Sequence, residues 1–246
     1  MNSLYHLGEY LLLMKRVLSL PERWAIFGKQ LIDETNKLVV NSIWIVVTIS
    51  LFIGAVISMQ VTLNIVSPLL PKFAIGFTTR ETLLLEFSSS IMCLILAGKV
   101  GSNIASEIGS MRVTEQIDAL EIMGVNSASY LILPKICALV FFIPILVSFS
   151  MMMGLIGGYI LATFSDMLPV STYVYGIQYD FKASYIFYSM KKSLVFAFII
   201  TSVSSYYGYY VKGGALDVGK ASTNSVVMSS ILILLADVIL TKIMLS

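Results

Sequence analysis

Two acidic residues in apolar surroundings are the side chains of this chain most able to do chemistry inside a membrane. Glu86 and Asp237 each interrupt an apolar run. An ionisable group at membrane depth is costly and usually faces a cavity or a partner group. For Glu86 two interpretations stay open: the wall of a transport path, or a structural hydrogen bond to Gln60 or to a serine such as Ser89. Asp237 is expected to form a structural ion pair, either with Lys242 or with Lys191 or Lys192 of span four.

Other kinds of reactive site are poorly represented. The one histidine is His6, and no group of His, Cys, Asp and Glu has the spacing of a metal site. Residues 214–221, GALDVGKA, nearly spell a phosphate-binding loop, but Ala221 replaces the Ser or Thr that would hold Mg²⁺. An apolar span also precedes this segment where the motif requires a strand. We therefore predict no catalysis, cofactor or metal on this chain, and a tight turn at these glycines.

The composition shows what kind of protein must position the two acids. Of the 246 residues, 57% are apolar and 12% are charged, and the mean hydropathy is +0.89. A soluble domain carries about twice that charged fraction. These figures exclude a disordered chain, a disulfide scaffold and an ordinary cytosolic enzyme. The net charge of +2 is too small to indicate a nucleic-acid partner.

The apolar runs predict an all-α polytopic membrane protein. A helix that crosses a bilayer needs roughly 20 mostly apolar residues, and five runs of the chain are apolar enough to be spans. The whole chain, 1–246, is then one membrane domain, with interfacial or cytoplasmic helices over 1–38 and a five-span bundle over 39–246. The five predicted spans are Ser42–Val66, Thr82–Leu96, Ile136–Ser165, Ser193–Val211 and Asn224–Leu245.

The basic residues between these spans predict the orientation of the chain. Ten lysines and arginines fall on the side of the N-terminus and six on the other side. Basic residues favour the cytoplasmic side. The N-terminus is therefore expected in the cytoplasm and the C-terminus outside.

Two amphipathic stripes precede the first span. Apolar residues recur at steps of three and four, first as Leu4, Leu7, Leu11, Met14 and Leu18, and after Pro21 as Trp24, Phe27, Leu31 and Leu38. This spacing is typical of helices that lie in the membrane surface. The alternative is that they pack on the cytoplasmic face of the protein itself.

Small residues mark the continuation of span two. Ala97, Gly101, Ala105 and Gly109 recur every four positions, and a parallel row contains Gly98, Ser102, Ser106 and Ser110. On a helix, such rows let another helix backbone approach closely. We expect span two to continue as a packed helix into the cytoplasm.

A short amphipathic helix is predicted at about residues 113–122. Val113, Ile117 and Leu120 form its apolar face, and the opposite face carries Thr114, Glu115, Asp118 and Glu121. Gly124 supplies a helix stop. The acidic face is either an ordinary solvated surface or a docking surface for a basic groove on a partner.

Two further features leave alternatives open. Gly154 and Gly158 form a GxxxG pattern in span three, which favours packing inside one bundle over a dimer seam. The external segment 164–192 is rich in tyrosine and phenylalanine. This composition favours an interfacial aromatic belt over a platform for an extracytoplasmic partner.

Residues 97–125, AGKVGSNIASEIGSMRVTEQIDALEIMGV, resemble the signature of the MlaE/YrbE permeases of bacterial lipid-transport ABC systems. The similarity extends over about 40–245. It includes Phe52 and Gln60 in the first span, Glu86 in the second, and Lys192-Ser193. Leu85 stands where the member most readily compared has a basic residue, so a headgroup contact assigned to that residue does not carry over.

The resemblance implies a function and a set of partners. The chain would be the permease subunit of an ABC transporter in the bacterial inner membrane, and it would act as a homodimer. Its partners would be a cytoplasmic ATPase pair, an extracytoplasmic MCE-domain protein and phospholipid; a small cytoplasmic regulator stays open. The path would be lined by Glu86, Gln60, Leu85, Leu63 and Phe52. The ATPase would be coupled through Val113, Glu115, Ile117, Asp118, Leu120 and Glu121.

A proton-coupled secondary transporter of a lipophilic substrate is the alternative, with Glu86 or Asp237 as its proton site. Five spans without an internal repeat argue against it.

Overall fold

The computed structural model describes residues 2–19, 24–65, 71–165 and 168–245, and within these ranges the regular elements are helices. Three π-helical segments, Thr35–Val40, Leu83–Ile91 and Ala97–Gly101, lie between consecutive α-helices of the first two spans. The α-helices are α1 (Asn2–Val17), α2 (Trp24–Glu34), α3 (Asn41–Asn64), α4 (Ala74–Thr82), α5 (Met92–Leu96), α6 (Ser102–Val113), α7 (Gln116–Ile122), α8 (Ser127–Phe164), α9 (Val170–Gln178), α10 (Ser184–Tyr209) and α11 (Ala215–Leu245).

Among the described residues, five helices are long and apolar enough to cross a membrane, which confirms the predicted number. They are Trp24–Asn64, Ala74–Val113, Ser127–Phe164, Ser184–Tyr209 and Ala215–Met244. Most of them extend beyond the predicted spans. The prediction used stretches without charged residues, which mark only the apolar centre of a helix, whereas helical hydrogen bonding continues into its polar ends. The predicted end of span one, Val66, lies outside the described residues.

The second amphipathic stripe is not a separate helix. α2 continues through Thr35–Val40 into α3, so that Trp24–Asn64 is one uninterrupted helical stretch. No glycine or proline interrupts the sequence between Glu34 and Asn41, and the helix therefore continues. The predicted boundary at residue 38 falls inside this helix.

α1 has features of both alternatives that the sequence left open. Leu13 and Val17 are buried, whereas Leu11 and Leu18 are exposed. The helix therefore packs on its own protein with one side and presents apolar side chains on the other. At its start, a hydrogen bond to Glu9 raises the pKa of the Tyr5 phenol above its ordinary value.

The chain divides into two compact units. The first comprises residues 1–42, 93–142 and 194–243, and the second comprises 43–92, 143–193 and 244–246. Each unit combines segments that are distant in sequence, because the same long helices contribute to both.

The predicted small-residue ridge is packed in the first unit, as expected. A Cβ on Gly208 of α10 would lie 2.8 Å from the Ala105 carbonyl oxygen. A Cβ on Gly101 would lie 2.8 Å from Ser204 Oγ, and one on Gly109 would lie 3.2 Å from a methyl group of Val218. The ridge therefore brings α10 and the start of α11 close to the extension of span two.

The second unit contains an even closer crossing, between the first and third spans. A Cβ on Gly54 would overlap the main-chain carbonyl of Gly154, and one on Gly158 would overlap the Tyr173 hydroxyl. Gly154 and Gly158 therefore pack inside the bundle, as the sequence favours.

A buried arginine fixes the chain segment that follows α9 in the second unit. Arg80 Nη1 donates to the carbonyl oxygens of Ile177 (2.7 Å) and Tyr179 (2.8 Å), and Nη2 contacts the Glu81 carboxylate at 2.5 Å. The aromatic residues of this region divide between two environments, since Tyr173 is buried and Phe187 is exposed. The sequence did not predict this mixture, because aromatic content alone does not distinguish core from surface.

Candidate functional site

The charged centre of the second unit is an ion pair between Glu86 and Lys192. Lys192 Nζ lies 3.0 Å from Glu86 Oε2, and the lysine side chain is fully buried. The same ammonium lies 5.0 Å from the centre of the Tyr188 ring, within range of a cation–π interaction. The Glu86 side chain is 40% exposed. The pair therefore presents a carboxylate outward while its cation is enclosed.

A π-helical segment positions this carboxylate. Glu86 lies in Leu83–Ile91, and Ser90 Oγ lies 3.4 Å from its Oε2. The Ser189 hydroxyl, three residues before Lys192, donates to the Leu84 carbonyl and holds α10 against the segment. Such π-helical irregularities are frequent at functional sites.

The sequence did not assign Lys192 to Glu86. It offered Gln60 or a serine as the structural partner, and it offered Lys192 only to Asp237. Sequence spacing cannot predict this pair, because residues 86 and 192 are brought together by packing. The available signal was the position of Lys192, a basic residue directly at the predicted start of span four.

Buried hydroxyl groups lie near the same π-helical segment. Ser50 Oγ lies 2.9 Å from Ser150 Oγ, and with Ser88 and Met92 these residues line a small cavity. Ser88 Oγ is buried and has no hydrogen-bond partner among the described residues. The interior of this unit therefore contains a few hydroxyl groups among mainly apolar side chains.

The other predicted path residues lie on α3 and beside Glu86. Phe52 and Leu63 are exposed, with exposed Val56 and Met59 between them at helical spacing. This stripe of four apolar side chains is called the α3 stripe below. Gln60 is also exposed, and Leu85 is half-buried.

The predicted coupling helix is shorter than expected at its start. α6 ends at Val113, Glu115 has a left-handed backbone with φ of 60°, and α7 begins at Gln116. Val113 and Glu115 therefore do not share a helix with Ile117. The prediction of one helix from residue 113 was wrong, because apolar spacing continued across a turn that contains neither glycine nor proline.

The side of α7 that is available to a partner also differs from the prediction. Ile117 is fully buried in the first unit, and Leu120 is half-buried. The large exposed apolar residues are Ile122 (87%) and Met123 (67%). The inward positions of the helix are occupied by Ile117 and Leu120, so the next apolar residues point outward. Ile122 and Met123 are two apolar residues more than the buried face of this helix needs, and this excess was the sequence signal for an exposed apolar surface.

Both acids on α7, Asp118 and Glu121, make side-chain contacts within the chain. Asp118 Oδ1 lies 2.5 Å from Arg112 Nη1. Glu121 Oε1 accepts hydrogen bonds from the hydroxyls of Ser127 and Tyr209, both at 3.0 Å. These two acids hold α7 in place and also give its surface negative charge.

The helix ends at Gly124, as predicted. Gly124 has φ of +79°, and the main-chain N–H of Val125 donates to the Leu120 carbonyl at 3.1 Å. A left-handed glycine followed by this hydrogen bond is a common helix C-terminal stop.

The segment that is similar to a phosphate-binding loop forms a turn, as predicted. It also contains the start of α11, nine residues before the predicted start of span five. Gly213 has φ of +119°, and Asp217 Oδ2 accepts the main-chain N–H of Gly214 at 3.2 Å. Lys220 Nζ lies 3.1 Å from Asp217 Oδ1. The local geometry is that of a capped helix N-terminus.

Comparisons with known proteins agree on one family. A family model described as Permease MlaE matches residues 31–243. A protein of Rickettsia bellii (strain RML369-C), described as a probable ABC transporter permease protein, is 36% identical over 201 residues, which cover 82% of this chain and 77% of that protein. Proteins with the same description from Synechocystis sp. and Pyropia yezoensis are 30% and 32% identical. They align over 87% and 85% of this chain, and over 81% and 82% of their own lengths.

Proposed function

Because the chain belongs to the MlaE permease family and is an ABC transporter permease, we propose that it moves phospholipid between the bacterial inner membrane and an extracytoplasmic MCE-type lipid-binding protein. An ABC permease works with an ATPase on a separate subunit. The proposal therefore concerns the substrate, the path and the contacts through which ATP hydrolysis is coupled to transport.

The observation that carries the lipid assignment is the exposed carboxylate of the Glu86–Lys192 pair inside a candidate membrane-spanning helix. A phospholipid has a charged headgroup and apolar chains. Within the second unit, the exposed carboxylate suits the cationic group of a zwitterionic headgroup and not its phosphate. The α3 stripe, with Phe52 and Leu63 at its ends, suits the acyl chains. Gln60 and Leu85 complete the proposed lining.

The proposed contact with the ATPase is α7. Ile122 and Met123 supply exposed apolar surface, and Glu115 is exposed beside the start of the helix. A short helix with an apolar tip and acidic surroundings fits a groove with basic margins. Asp118 and Glu121 contribute charge to this surface while holding the helix in place.

We further propose that two copies of the chain form the transporter, with the N-terminus in the cytoplasm and the C-terminus in the periplasm. α11 exposes large apolar side chains along much of its length, for example Leu235 and Val238. These side chains suit acyl chains or a second copy better than water. The amphipathic α1 would lie in the membrane surface.

Reconstitution tests the proposal. The chain, its ATPase and the extracytoplasmic MCE protein are placed in vesicles with labelled phospholipid, and transfer is followed with and without ATP. ATP-dependent transfer that stops when the ATPase is inactivated supports the proposal. Transfer driven by a proton gradient without ATPase would instead support the secondary transporter. ATP hydrolysis without movement of any phospholipid would reject the lipid assignment.

A further inference from the structure

We infer that Asn126 is a positioning residue that ties α1 to the coupling helix, so that the N-terminal helix fixes α7 in its docking position. This inference rests on the proposed role of α7 as the ATPase contact. It goes beyond that role by assigning a mechanical function to α1 and to the turn after α7.

The link consists of hydrogen bonds between the end of α1 and the α7–α8 turn. Asn126 Nδ2 lies 3.1 Å from the Arg16 carbonyl oxygen and 2.8 Å from Ser19 Oγ. Ser129 Oγ donates to the Ser19 carbonyl at 3.1 Å. The Ser19 hydroxyl donates in turn to the Arg16 carbonyl at 2.8 Å. These four residues are called the latch.

The other half of Asn126 serves a different purpose. Its Oδ1 accepts the main-chain N–H of Ser129 at 3.3 Å, which caps the N-terminus of α8. The amide therefore acts in two directions, with the oxygen capping α8 and the nitrogen holding α1. This division allows the latch to be tested apart from the cap.

The far end of α1 is fastened independently. Tyr206 Oη donates to Glu9 Oε2 at 3.2 Å, and Tyr10 Oη donates to Ser202 Oγ at 2.9 Å. One turn further along α10, Tyr209 donates to Glu121 of α7. α10 therefore holds α1 through Tyr206 and α7 through Tyr209. The latch adds a direct link between α1 and the turn after α7.

A closed arrangement of three helices has a mechanical consequence. α7 carries little buried surface of its own beyond Ile117 and Leu120. A short helix of this kind is held mainly by its contacts at both ends. Force exerted on α7 by a moving ATPase would then be transmitted to α1 and α10 rather than absorbed by local bending of the turn.

The test variant is Asn126→Asp. Aspartate is as good an N-cap as asparagine, so the cap on α8 is preserved. The substitution replaces the donating NH₂ by an oxygen that faces the Arg16 carbonyl, so the donation to Arg16 is lost. The Ser129–Ser19 bond is kept, and the Ser19 hydroxyl turns to donate to the new carboxylate, so the latch is weakened at Arg16. Asn36→Asp, at an exposed position on Thr35–Val40, is the matched control for the added charge.

Two measurements are made on the full chain in lipid nanodiscs or vesicles. Hydrogen exchange over residues 116–125 reports on the latch and requires no partner. We expect Asn126→Asp to accelerate this exchange about two- to tenfold, the range for losing one such hydrogen bond. In the reconstituted complex we expect unchanged recovery of the ATPase but severalfold less phospholipid moved per ATP hydrolysed.

Three results would overturn the inference. Unchanged hydrogen exchange would mean that the amide does not hold α7. Faster exchange with normal transport per ATP would mean that the latch has no part in coupling. A loss of membrane abundance or of ATPase recovery would assign Asn126 to folding or docking. If no ATPase co-purifies with the wild-type chain, the proposed function fails. The hydrogen-exchange comparison then still decides whether the latch exists, because it requires no partner.

Discussion

Lys192 and Glu86 form an ion pair of 3.0 Å whose two ends differ in exposure, with the lysine fully buried and the carboxylate partly open. Removal of one member of a buried pair leaves an uncompensated charge and typically costs about 3–5 kcal/mol, whereas replacement of both is often tolerated. Because Glu86 is 40% exposed, the cost here should lie at or below that range. Only Lys192 is fully buried, whereas Glu86 is accessible to a transported lipid. A structural role of the pair and a role of Glu86 in transport can therefore be tested separately.

We predict that Glu86→Gln lowers the thermal stability of the purified chain, since the buried Lys192 ammonium loses its 3.0 Å contact with a carboxylate. The double variant Glu86→Gln with Lys192→Met should recover most of that stability but not phospholipid transport. Thermal unfolding and ATP-driven lipid transfer are the two measurements. Recovery of both by the double variant would mean that the pair is structural only.

Features that depend on residues close in sequence could be predicted, whereas features that depend on packing between distant segments could not. The five spans, the ridge through Ala105 and the stop at Gly124 depend on residues close in sequence, and they were predicted. The Glu86–Lys192 pair depends on packing between distant helices. The turn at Glu115 has a left-handed backbone at a residue that gives no signal for it. The outward position of Ile122 becomes predictable only once Ile117 is known to be buried.

The predicted orientation can be tested with matched lysine positions. Lys182 follows α9 and Lys220 lies near the start of α11, and both side chains are exposed. In a background without Cys93 and Cys137, Lys182→Cys should react with an impermeant thiol reagent from outside intact cells. Lys220→Cys should react only after the membrane is opened. Labelling of both from the same side would contradict the five-span topology.

Gly54 is predicted to tolerate no side chain. A Cβ at this position would overlap the backbone of Gly154, and neither backbone can move without separating α3 from α8. Overpacking costs about 1–3 kcal/mol and occasionally more. Gly54→Ala should therefore reduce membrane abundance and unfolding temperature. The control is Gly28→Ala, where no atom lies within 4 Å and alanine favours the helix. Equal effects of the two substitutions would disprove the close crossing.

Ile122 and Met123 are predicted to carry more of the ATPase contact than the acids of α7. Each is largely exposed, so replacement by aspartate removes no buried surface from the chain itself. The double variant Ile122→Asp with Met123→Asp should leave membrane abundance unchanged and strongly reduce co-purification of the ATPase.

Two comparisons make this experiment specific. The conservative pair Ile122→Val with Met123→Leu should retain the ATPase, because the apolar surface is preserved. Ile117→Asp should reduce membrane abundance, because Ile117 is fully buried and its replacement places an unpaired charge in the first unit. Leu216→Asp changes another exposed apolar residue, beside the turn at Gly214, and tests a competing contact. If Leu216→Asp releases the ATPase while the double variant at Ile122 and Met123 retains it, the coupling surface lies at that turn and not on α7.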